Sequence, residues 1–204
     1  MATIKNIVFD LGGVLIDWDP RYVYRTIFDT EEEVESFLAK VCVYEWNIQQ
    51  DAGRSLQEAT EVLIRKHPEW ATEIQAYYGR WEEMLGGVIE GTLEILESFM
   101  SNSNYTVFAL TNWSAETFPV AQARYEFLQW FEGIVVSGVE KCIKPDPKIY
   151  QILFERYKLQ PEESIFIDDN LDNVMAAHKL GMAAIHFQNP TQLKAELEQL
   201  NLLS

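Results

Sequence analysis

A chain of 204 residues with 48% hydrophobic side chains can bury one substantial core, or a core with a modest appended unit, which excludes a disordered chain. Its 32 acidic residues against 16 basic ones leave a formal net charge of −16, which disfavours nucleic acid and anionic membrane surfaces as partners. The acidity does not exclude an anionic ligand, because a cation or converging amides can reverse the field inside a site.

The first apolar run, Asn6-Ile7-Val8-Phe9, reads as a strand and delivers Asp10 to a pair of glycines in "FDLGGV". The stretch before Asp10 is too short for a signal peptide and no run reaches about 18 apolar residues, so a soluble, cytoplasmic protein is expected. From about Pro20 to Leu85 no strand pattern stands out. Helices dominate there, including "SLQEATEVLIRKH", where Ser55 and Glu58 have capping-box spacing. Cys42 and Cys142 lack a second thiol or imidazole at ligand spacing, so buried thiols are expected rather than a zinc site.

After "GTLEILESFM", a helix from Gly91, strands and helices alternate. Tyr105–Leu110 and Gly133–Val136 read as strands, and "PKIYQILFERY" as a helix opened by Asp146. Ser164–Ile167 follows as a strand, then "NVMAAHKLG" as a helix stopped by Gly181, then the strand Met182–Ile185. Asn189 and Pro190 open a last helix. Short strands apolar on both faces, alternating with helices, predict an α/β fold: a doubly wound, Rossmann-like parallel sheet with an inserted α-helical cap. Residues 1–16 and 89–204 would form the core. Residues 17–88 would form the cap, lying over the carboxyl ends of the strands where open α/β sheets place their ligands.

Chemistry clusters at those strand ends. Asp10 follows the first strand, Thr111-Asn112 the second and Asp168-Asp169 the fourth, with Lys144 between them in "KCIKPDP". A parallel sheet brings all of them to one edge. A carboxylate, a hydroxyl, an amide, a lysine and an acidic pair can together hold Mg²⁺ and a phosphoryl group, because hard cations take oxygen ligands. The neighbouring acids Asp168 and Asp169 repel one another unless a cation lies close, which makes an idle role costly.

"FDLGGV", "ALTNWS", "KPDP" and "FIDDNLDN", in that order, resemble the four motifs of the haloacid dehalogenase superfamily, and the helical insertion resembles its first type of cap. Within it, "DLGGV" with the fourth motif is most similar to the branch containing glucose 1-phosphate phosphatases. The resemblance implies that Asp10 is the nucleophile, forming an aspartyl phosphate that water hydrolyses. It implies that Thr111 and the amide of Asn112 hold the phosphoryl oxygens, that Lys144 neutralises charge and keeps Asp10 ionised, and that Asp10, Asp169 and the Gly12 carbonyl ligate Mg²⁺. Asp168 and Asn173 would support that shell from behind.

One departure matters. Most phosphatases of the superfamily carry an Asp two residues after the nucleophile, where this chain has Gly12. General acid–base help is typically worth about 10² to 10⁴ in rate. Either another group moves the proton, or the chain resembles the metal-independent 2-haloacid dehalogenases, or it is an idle phospho-ligand binding protein; the acidic pair argues against the second. Asp17 and Asp19 are expected to shape the cap hinge, and His67, His178 and His186 to lie outside the site. The implied partner is a small phosphate ester such as a sugar phosphate, with oligomeric state open. Of the cap aromatics Tyr44, Trp46, Trp70, Tyr77, Tyr78 and Trp81, at least half should pack helix against helix, while Glu45, Asn47, Gln49 and Arg54 could read substrate hydroxyls.

Overall fold

The computed structural model describes residues 3–203; Met1, Ala2 and Ser204, part of the expected amino-terminal and core segments, lie outside them. In chain order the elements are β1 (Asn6–Phe9), β2 (Ile16–Trp18), α1 (Arg21–Tyr24), α2 (Glu31–Lys40), α3 (Tyr44–Asp51), α4 (Leu56–Lys66) and α5 (Ala71–Gly79). There follow β3 (Leu85–Val88), α6 (Glu90–Met100), β4 (Thr106–Thr111), α7 (Phe118–Arg124), β5 (Gly133–Val136) and α8 (Ser137–Glu140). The chain continues through α9 (Pro147–Tyr157), β6 (Ser164–Asp168), α10 (Leu171–Lys179), β7 (Ala183–His186) and α11 (Pro190–Gln199).

Five of the strands form one parallel sheet in the order β5-β4-β1-β6-β7. β1 and β6 are apolar on both faces because both faces are covered. Val8, Phe108, Leu110 and Phe166 pack with Ile149, Tyr150 and Leu153 of α9 and Ala177 of α10. Ile7, Phe9, Ala109 and Ile167 face the other way, toward Leu96 and Phe99 of α6 and Leu193 and Leu197 of α11. This second core runs on, through Leu11, Leu15 and Ile16, into Tyr24, Phe37, Ile74 and Tyr77 of the helical segment. Cys42 and Cys142 are both free and buried. Among the described residues no helix is long and apolar enough to cross a membrane.

Two details differ from expectation. The helical segment is entered and left by an antiparallel ribbon, β2 with β3, that the sequence pattern does not announce. Its strands are three and four residues long, too short to show a period, and Gly86-Gly87 in β3 reads as a turn. The capping box expected at Ser55 is half formed, with the Ser55 hydroxyl accepting from the Glu58 N–H at 3.2 Å. A complete box stands instead at the head of α2, where Thr30 and Glu33 exchange bonds of 3.3 and 3.0 Å.

Candidate active site

The parallel register places Asp10, Thr111 and Asp168 at the carboxyl ends of three adjacent strands, β1, β4 and β6. Lys144 arrives from the loop before α9 and is held from two sides. Its main chain is clamped by the Asn112 side chain, whose Oδ1 accepts from Lys144 N at 2.8 Å and whose Nδ2 donates to Lys144 O at 3.0 Å. Its ammonium, fully buried, meets three acceptors: Leu110 O at 2.9 Å, Asp168 Oδ2 at 2.7 Å and Asp10 Oδ1 at 2.9 Å. An ammonium has three donors, so its capacity is filled.

Asp168 is equally saturated. Asn170 N donates to its Oδ1 at 2.7 Å, and Asn173 Nδ2 lies 3.1 Å from both of its oxygens. Asp168 and Asn173 therefore anchor Lys144, while the neighbouring Asp169 stays exposed. Asp10, 7% exposed, accepts from Leu11 N at 2.7 Å through the same Oδ1 that faces Lys144.

The local charge is unbalanced. Asp10, Asp168 and Asp169 each bring an oxygen within 4.8 Å of the others, against one ammonium. Burial raises the Asp10 carboxyl above its ordinary value, Lys144 opposes the rise, and Asp168 and Asp169 add to it. Asp169 is raised too, by burial and then by Asp168. Lys144 stays charged, because Asp10 and Asp168 outweigh its burial. Carboxylates so arranged suit a divalent cation, which would favour their ionised forms. Gly13, at φ +74°, matters here: a Cβ on it would lie 2.4 Å from Asp169 Oδ2.

The Thr111 hydroxyl is buried and has no partner, as an oxygen-binding group awaiting a ligand would be. Beside it opens a chamber of about 80 Å³ lined by Gly12, Trp18, Asn47, Asp51, Tyr78, Trp81, Asn112, Trp113, Ser114 and Thr117. Trp81 crosses the boundary to meet Trp113 edge to face, ring centres 5.8 Å apart. The indole nitrogens of Trp18 and Trp113 are buried without partners.

A sequence profile of the haloacid dehalogenase-like hydrolases matches residues 4–181. The chain belongs to this family. The hydrolase is 28% identical to the sesquiterpene phosphatase AstK of Aspergillus oryzae over 98% of its own length and 97% of the relative's. It shares the fold of a predicted HAD-like hydrolase from Porphyromonas gingivalis, with a TM-score of 0.74 and 22% identity, each chain covered in full. A HAD family enzyme of Bacteroides thetaiotaomicron, solved with magnesium and inorganic phosphate, superposes with a TM-score of 0.69 and 24% identity over 91% of this chain and 95% of that one.

The structure thus gathers Asp10, Gly12, Thr111, Asn112, Lys144, Asp168, Asp169 and Asn173 of the hydrolase at one edge. Among the cap candidates, Asn47, Tyr78 and Trp81 reach the chamber. Trp46, Trp70 and Tyr77 pack in the helical segment, with Trp46 Nε1 donating to Ala59 O at 3.2 Å, and Arg54 is bound to Gln50 and Trp46. Tyr44, Glu45 and Gln49 are exposed. Asp17 accepts from the Tyr22 hydroxyl and Asp19 from Arg21 N, both at the segment's entrance. His186, expected to lie apart, places Nε2 2.9 Å from the Asp169 carbonyl because β7 runs beside β6. Trp18 and Asp51 belong to no motif, and Trp113, though within "ALTNWS", carries no expected role; folding places all three at the chamber.

Proposed function

We propose that the hydrolase is a magnesium-dependent phosphatase of small phosphate monoesters, acting through an aspartyl phosphate on Asp10. The supporting observation is the buried Lys144 bound to both Asp10 and Asp168, with Asp169 beside them. Among the described residues Asp10 Oδ2 accepts no hydrogen bond, so that oxygen is free to attack phosphorus while Oδ1 is held. The Thr111 hydroxyl and the Asn112 N–H would bind phosphoryl oxygens, the Asn112 side chain being committed to Lys144. Asp10, Asp169 and the Gly12 carbonyl would hold the cation. Bound magnesium would supply charge neutralisation and orientation for the phosphoryl group.

Residues 17–88 would act as a cap that shuts the chamber and excludes water. A chamber of about 80 Å³ has room for little beyond the phosphoryl group, so the body of the ester would enter as the cap shifts. Asn47 and Asp51 support a sugar phosphate as substrate. The walls of Trp18, Tyr78, Trp81 and Trp113 favour a second reading, the phosphate of an apolar alcohol, and the likeness to a sesquiterpene phosphatase points the same way.

The test is phosphate release from hexose phosphates and from prenyl and terpenyl monophosphates, with and without Mg²⁺, comparing the parent with Asp10→Asn. Release that needs Mg²⁺ and disappears in the variant is expected. Halide release from 2-haloacids without metal, or no turnover of any ester, would overturn the reading.

A further inference from the structure

Gly12 leaves the site without an acid where phosphatases of this family commonly have one, and the structure shows what surrounds the gap. A Cβ on Gly12 would meet nothing within 4 Å, so the space opens directly onto the chamber. One carboxylic acid from the helical segment lines that same chamber: Asp51. We propose, building on the phosphatase reading, that Asp51 gives the proton to the leaving oxygen and later takes one from the attacking water.

Asp51 is the last residue of α3, the end of a helix where the aligned peptide dipoles oppose a carboxylate. No lysine, arginine or histidine forms an ion pair with it among the described residues, unlike Asp10 and Asp168. The turn that carries it is pressed against the core. A Cβ on Gly53 would lie 2.9 Å from Lys141 Cγ and 3.3 Å from Gly138 O, and Leu56 N donates to Glu116 Oε1 at 2.9 Å. Closure of the segment on the core thus also sets the position of the acid.

The groups that feel Asp51 are Tyr44 on its own helix, Tyr77 and Tyr78 on α5, and Lys144 and the Ser114 main chain of the core. Burial pushes its carboxyl up to about 7, with the Ser114 main chain and Lys144 opposing. A group with that value is protonated often enough to donate and ionised often enough to accept near neutral pH.

The step balances as follows. Asp10 Oδ2 bonds to phosphorus as the ester P–O bond breaks, and the leaving alkoxide takes the Asp51 proton. Water then attacks phosphorus and gives its proton to Asp51 as the Asp10–phosphorus bond breaks, so that ester and water become alcohol and phosphate.

The experiment compares parent, Asp51→Asn and the double variant Asp51→Asn with Gly12→Asp on an alkyl phosphate and on p-nitrophenyl phosphate, in Mg²⁺. An alkoxide needs a proton to leave and p-nitrophenolate does not. In Asp51→Asn, kcat for the alkyl ester is expected to fall about 10²- to 10⁴-fold with KM little changed. The p-nitrophenol burst should persist, with phosphoenzyme accumulating after acid quench, and Gly12→Asp should restore alkyl turnover. Equal losses of kcat/KM on both esters, or no loss on either, would overturn the proposal. Should the variant fail to fold, the parent decides: kcat/KM for the alkyl ester should fall on the alkaline side while that for p-nitrophenyl phosphate holds, and parallel profiles would overturn it. A parent that hydrolyses neither ester, nor any in the wider panel, would instead defeat the phosphatase reading itself.

Discussion

At the sheet edge the three donors of Lys144 and both oxygens of Asp168 have partners, whereas beneath the helical segment Trp18 Nε1 and Trp113 Nε1 are buried without partners and Asp51 has no ion-pair partner among the described residues. The first wall holds charge in place whether or not a ligand is present. The second leaves polar atoms underused, at a cost in stability, in a space a ligand could fill. Precision of charge and freedom of fit are thereby divided between two parts of the chain.

The largest expected effect is at the paired wall. Lys144→Met removes the one cation shared by two buried carboxylates and should cost about 3–5 kcal/mol of unfolding free energy, read by urea denaturation at neutral pH. A loss below about 1 kcal/mol would mean that the pairing does not organise this wall. Next come the adjacent glycines, which should part company. Gly13→Ala must adopt a positive φ and push against Asp169, so about 1–3 kcal/mol should be lost. Gly12→Ala meets open space and has no positive φ, so it should be neutral within about 0.5 kcal/mol. Equal effects would erase the distinction between the two positions.

At Asp51 the expected effect carries the opposite sign. Asp51 is raised from 3.8 to about 7 in the folded protein. Between those values the folded state binds more protons than the unfolded chain, so this group's contribution to stability is present at low pH and is lost as pH climbs through 7. Asp51→Asn removes that loss. Its Tm should match the parent's near pH 4 and exceed it at pH 8, by the equivalent of about 1–2 kcal/mol once partial solvent exposure is discounted. A variant less stable than the parent at pH 8 would show that the Asp51 carboxylate stabilises the fold.

Much of the paired wall was legible in the chain because each functional group follows a strand of strong pattern. The runs ending at Phe9, Leu110 and Ile167 are apolar over their last three residues or more, so a parallel sheet had to bring Asp10, Thr111 and Asp168 together. The chamber was not legible in that way. "EWNIQQDAGR" offers six polar side chains on one helix and its turn, and period alone does not say that Asn47 and Asp51 face the core while Glu45 and Gln49 face solvent. Trp18 lay outside every motif, and Trp113 stood within "ALTNWS" without an expected role. The ribbon that positions Trp18 depends on pairing Asp17 with Gly87, a contact too distant in sequence for local pattern to reveal.

The parallel sheet, the helices that alternate with most of its strands, the family motifs and the residues at the strand ends were settled by sequence alone, since local period and strand-end placement act over a few residues. Which helix faces close the chamber, which hydroxyl and indoles stay unpartnered, and which acid stands opposite Gly12 were decided only by tertiary structure. Those choices depend on how two separately encoded surfaces meet, and no local pattern carries that distance or that orientation.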